Sequence, residues 1–105
     1  MTAKQFRQLA LALPEVEERS HMAHPDFRIA KRIFATLGYP DAKFGMLRLT
    51  PGQQVEVVRR AAHVFQPAAG AWGRKGATLV LLAAIKPAEL RPMLRQAYDN
   101  VALRR

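Results

Sequence analysis

No apolar run in this sequence is longer than the seven residues from Leu79 to Ile85, and prolines and glycines interrupt the chain at short intervals on either side of it. Every helix or strand must therefore be short, and a core can form only where several of them pack together. A helix needs about 20 apolar residues to cross a bilayer, so no membrane span is expected. At 105 residues the chain has the size of one domain, read as covering 1–105, and half of it is hydrophobic, enough for a small core. With no cysteine, disulfides, thiol nucleophiles, cysteine-built zinc sites and iron–sulfur clusters are excluded. The first residues lack a charged segment followed by an apolar one, so the cytoplasm is the expected location.

The punctuation sets out the elements. Thr2 can cap a helix in which Phe6, Leu9, Ala10 and Leu13 recur at helical spacing until Pro14. Alternation from Val16 to Met22 predicts a strand, Pro25-Asp26 a bend, and Phe27-Arg28-Ile29 a second strand. Arg32–Leu37 and Lys43–Leu49 read as two more, joined by the turn Gly38-Tyr39-Pro40-Asp41. Thr50-Pro51-Gly52-Gln53 is a capping box with proline at the first helical position, opening a helix that ends near His63. A loop from Pro67 to Gly76 leads to Thr78–Leu82, apolar on both faces and so suited to a strand covered on both sides. The last helix starts at Lys86-Pro87, with Leu90, Met93, Leu94, Ala97 and Val101 inward and a first turn distorted by Pro92. The order α-β-β-β-β-α-β-α predicts an α+β fold, an antiparallel sheet with helices packed on it.

Charge separates the two ends of the chain. Residues 1–26 carry a net charge of −1 and the remaining 79 carry +10, out of a total of +9. Clustered Lys and Arg favour a polyanionic partner, because neutralising phosphates releases condensed counterions. Basic and aromatic residues interleave at Phe27-Arg28, at Lys31-Arg32 beside Phe34, and at Tyr39 with Lys43, the pattern of a nucleic-acid surface. Gly70-Ala71-Trp72-Gly73-Arg74-Lys75-Gly76 adds glycines at spacing three, whose amides could converge on an anion, with two cations and one stacking ring. It is neither a Walker loop nor a dinucleotide-binding fingerprint.

Other chemistry finds little support. His21, His24 and Asp26 could ligate a metal, but residues 21 and 24 of one strand point to opposite faces, so no metal site is expected. Glu15, Glu17 and Glu18 form a crowded but solvated edge, and Ser20 lacks a nucleophile elbow. No catalytic residue and no cofactor is assigned.

The segments Leu13-Pro14-Glu15-Val16, His24-Pro25-Asp26-Phe27-Arg28, Ile33–Leu37, Leu49-Thr50-Pro51 and Trp72-Gly73-Arg74-Lys75-Gly76 together resemble the MmcQ/YjbR family of small bacterial proteins. The resemblance implies a CyaY-like fold and a non-catalytic DNA-binding role through double-wing-like hairpins. Ile29-Ala30 stands where such proteins commonly have a glycine-containing step. On this reading DNA is bound with low specificity, mostly at phosphates, by Arg28, Lys31, Arg32, Lys43, Arg74 and Lys75, with Trp72 available to stack, and the protein acts as a monomer. The alternative is a protein that binds a small molecule or anionic metabolite, possibly an enzyme, with His24, Asp26, Arg28, Trp72 and Arg74 lining one pocket. Convergence of these side chains on a concavity would favour the second reading, and a convex basic face the first.

Overall fold

A computed structural model of the chain describes residues 1–103. The elements run α1 (Ala3–Leu11), β1 (Glu17–His21), β2 (His24–Ile29), β3 (Arg32–Leu37), β4 (Phe44–Arg48), α2 (Pro51–Arg60), β5 (Phe65–Pro67), α3 (Gly70–Arg74), β6 (Ala77–Leu81) and α4 (Pro87–Ala102), with a 3-10 turn at Leu82–Ala84. The six strands form one antiparallel sheet in the order β1-β2-β3-β4-β6-β5. This is the α+β class expected, with two short elements, β5 and α3, in the segment from Phe65 to Arg74.

Local chemistry accounts for the boundaries. Thr2 and Thr50 each accept a hydrogen bond from the N–H three residues on, and the Gln5 and Gln53 side chains accept from the capping residues' own N–H groups. α4 starts early, at Pro87, so Pro92 lies inside it. α2 stops at Arg60 rather than near His63, because Ala61 leaves the helical region at φ −149°.

The bend expected at Pro25-Asp26 falls instead at Met22-Ala23, and Pro25 lies inside β2. β3 pairs with β2 only from Asp26 onward, so a residue without an N–H fits there. Both hairpin turns, Met22-Ala23 and Ala30-Lys31, hold φ between 50° and 68°, the left-handed pair that matches the twist of a two-residue hairpin.

Strand alternation gives the sheet two unlike faces. One carries the main core, in which Phe6 of α1, Phe27, Phe34, Leu47 and Val80 of the strands, and Leu90 and Leu94 of α4 are fully enclosed. The other carries a smaller cluster of Met46, Ala68, Ala77 and Leu79, with Ile33, Tyr39, Phe44 and Trp72 half-buried against it. β6 is thus covered on both sides, as its uninterrupted apolar run requires. No helix among the described residues is long and apolar enough to cross a membrane.

Candidate functional site: a cationic groove

One hairpin, a strand end and a helix end bring six cations to one place. Arg28 closes the second face of β2, Lys31 sits at the turn, Arg32 opens β3, Arg48 ends β4, and Arg74 and Lys75 end α3. All six line an open groove of about 1060 Å³, whose floor includes Ile33, Leu49 and Pro51. Among the described residues Asp99 is the one carboxylate in its wall, and it is engaged by Arg95 at 3.0 Å. Among the described residues no acidic side chain pairs with Lys31, Arg48, Arg74 or Lys75. These four cations, brought together without paired acids among the described residues, give the groove a high positive potential.

Arg28 is held in place by a buried acid. Asp26, fully enclosed, accepts from Arg28 Nε at 2.8 Å and Nη2 at 3.1 Å, and from His21 Nδ1 at 2.7 Å. The Arg28 hydrogen bonds hold the Asp26 carboxyl below its ordinary range, burial pushes the other way, and His21 adds to the lowering. The same pairing raises the Arg28 guanidinium further above its ordinary value. A carboxyl whose native pKa is depressed contributes stability above its unfolded value of about 3.9 and loses it as the pH falls through the native value. Wild-type protein is therefore expected to lose thermal stability below about pH 4 more steeply than Asp26→Asn, measured by melting from pH 2 to 5; parallel curves would contradict this role of Asp26.

The α3 segment works differently from the expected amide cradle. Lys75 N–H donates to Ala71 and Trp72 carbonyls and Gly76 N–H to the Gly73 carbonyl, so these amides are spent inside the loop. Its glycines serve close approach: a Cβ on Gly73 would lie 1.7 Å from the Ala68 carbonyl oxygen, and one on Gly76 would lie 1.9 Å from that of Leu49. Gln54 of α2 pins the segment, its buried Nε2 lying 3.0 Å from the Gly73 and Ala77 carbonyls and 3.2 Å from Thr78 Oγ1. The segment that carries Arg74 and Lys75 is thereby fixed to α2 and to the start of β6, whose Ala77 pairs with Arg48.

Of the residues assigned from sequence, Arg28, Lys31, Arg32, Arg74 and Lys75 meet in the groove. Lys43 precedes β4 at the end opposite Arg48, about 16 Å away along the strand, and does not line it. Trp72 stands outside too, edge-on to Tyr39 with ring centroids 5.6 Å apart, and Tyr39 in turn meets His24 at 6.0 Å. The pocket expected from His24, Asp26, Arg28, Trp72 and Arg74 therefore divides: two arginines line the groove, Asp26 is buried beneath one of them, and His24 and Trp72 join a ring cluster. His21 and His24 are cross-strand partners, not residues on opposite faces, since the turn lies between them. Among the described residues no group of three or more His, Asp or Glu side chains could hold a metal ion. Arg48 was missed in sequence, although its alternation with Phe44 and Met46 puts it on the cationic face; Gln54 carried no signal, lying in a polar run at the helix start.

Fold and groove together define a small α+β protein built around a cationic concavity. The chain belongs to the YjbR family, whose model matches residues 11–100. It is similar in fold to the crystal structure of the Deinococcus radiodurans protein DR2400, which has a domain of the DUF419 type; the TM-score is 0.78 at 18% identity, covering 98% of this chain and 80% of that one. No curated protein matches the chain.

Proposed function

We propose that this protein is a non-catalytic DNA-binding protein of the cytoplasm that holds phosphates in the cationic groove with low sequence specificity. The observation that carries the reading is that Arg28, Lys31, Arg32, Arg48, Arg74 and Lys75 line one open groove, whereas the side chains of the alternative pocket do not converge there, His24 and Trp72 lying outside it and Asp26 buried beneath Arg28. Phosphate contacts dominate affinity for nucleic acids, and a row of cations supplies them without reading bases. Asn100, the amide in the groove wall that could read an adenine edge, is committed to the Arg48 carbonyl at 3.0 Å and Gln53 Oε1 at 2.7 Å.

The concave shape also supports a second reading, in which the groove takes a small phosphorylated molecule. Arg74→Ala and Lys75→Ala are each expected to weaken binding to a labelled duplex by about tenfold while melting like the parent, because both side chains are exposed and pair with no acid among the described residues. Heparin should displace the duplex and pyrophosphate should not. Saturable displacement by micromolar pyrophosphate would transfer the groove to the second reading, and unchanged duplex affinity in both variants would remove α3 from the site.

A further inference from the structure

The sheet face beside the groove carries aromatic rings in a state unlike those of the core. Phe6, Phe27 and Phe34 have no exposed surface, as rings recruited only for packing do. Tyr39, Phe44 and Trp72 are each half-buried against the Met46, Ala77 and Leu79 layer, and His24, also half-buried, lies against Tyr39. They are also ordered: Trp72 and Tyr39 meet at 62° and Tyr39 and His24 at 78°, so each ring holds its neighbour edge-on.

This ledge adjoins the groove. Trp72 lies two residues from Arg74 and three from Lys75 on the same short helix, and Ile33 both packs against the ring-bearing cluster and lines the groove.

From this juxtaposition we infer that the nucleic acid is engaged as a single strand, with phosphates along the cationic groove and unstacked bases on the Trp72–Tyr39–His24 ledge. The inference rests on the nucleic-acid reading of the groove and adds the class of partner. In a duplex the base faces are buried in the stack and only phosphates and groove edges are offered, so the ledge would go unused. A single strand offers both charges and flat faces, and a cationic track beside aromatic rings is the pairing of surfaces that fits it. Stacking is indifferent to base identity, in keeping with a groove that lacks a free base-reading amide.

Trp72 is the sole tryptophan, so its fluorescence reports the ledge directly. Titration with a twelve-nucleotide oligo(dT) is expected to quench it and to show affinity at least tenfold above that for a duplex of equal length at the same salt. Trp72→Ala and His24→Ala should each lower oligo(dT) affinity by about tenfold and leave duplex affinity unchanged. Should Trp72→Ala fail to fold, His24→Ala and Trp72→Phe carry the test, the second keeping a ring in the cluster and most of the affinity. Equal affinity for the two forms with no quenching, while Arg74→Ala still weakens both, would overturn the single-strand inference and leave the groove reading standing. Absence of binding to either form at about 50 mM salt by folded protein would overturn both.

Discussion

Gly76→Ala is expected to remove a large part of the protein's stability. The residue sits at φ +111°, where a side chain is strained in any surroundings, and an added Cβ would come within 1.9 Å of the Leu49 carbonyl oxygen and 2.8 Å of its carbon. Neither partner can move aside cheaply. Leu49 N–H donates back to the Gly76 carbonyl at 3.2 Å, and Thr78 Oγ1 donates to the same carbonyl at 2.8 Å. The expected loss is about 4 kcal/mol or more, against a total stability of about 5 to 15 kcal/mol for a domain of ordinary stability. Gly52→Ala is the control, since nothing lies within 4 Å of its added Cβ and it sits in the first turn of α2; that change should be neutral or stabilising by about 0.5 to 1 kcal/mol. Urea unfolding of the two variants checks the contrast, and a Gly76→Ala protein with the parent's midpoint would contradict the packing described. The same contact joins the residue after Arg48 to the residue after Lys75, so the glycine that secures the fold also fixes the width of the groove.

Much of this was legible in the residues. Capping boxes at Thr2 and Thr50 reveal helix starts because a hydroxyl and an amide three residues apart answer two local backbone groups, whatever the rest of the chain does. The apolar run in β6 announces a strand covered on both sides, since each face must find an apolar neighbour. What local chemistry could not supply was register. Met22-Ala23 has no turn residue, and its left-handed pair is imposed by the pairing of His21 with His24, a tertiary constraint invisible at Pro25. β5 is three residues long and α3 five, too short for periodicity to emerge, and α3 is defined by Gly73 against Ala68 and by Gln54 across the fold. The groove followed the same division: the basic residues were visible one by one, whereas Arg48 joins them because β4 lies beside β6, and Lys43 drops out because the same strand carries it to the other end.

The cationic groove's affinity for phosphates is tested most directly by its response to salt. Each neutralised phosphate of a duplex contributes about −0.9 to the slope of log K against log salt, so four to six contacts from the six lining cations give a slope of about −4 to −5 for duplex DNA. Raising salt from about 50 to about 200 mM should then cost about 250- to 1000-fold in affinity, and removing Arg74 and Lys75 together should make the slope shallower by about 2. A folded protein that fails to bind at about 50 mM salt, or a slope that the Arg74→Ala/Lys75→Ala double variant leaves unchanged, would contradict phosphate binding in this groove.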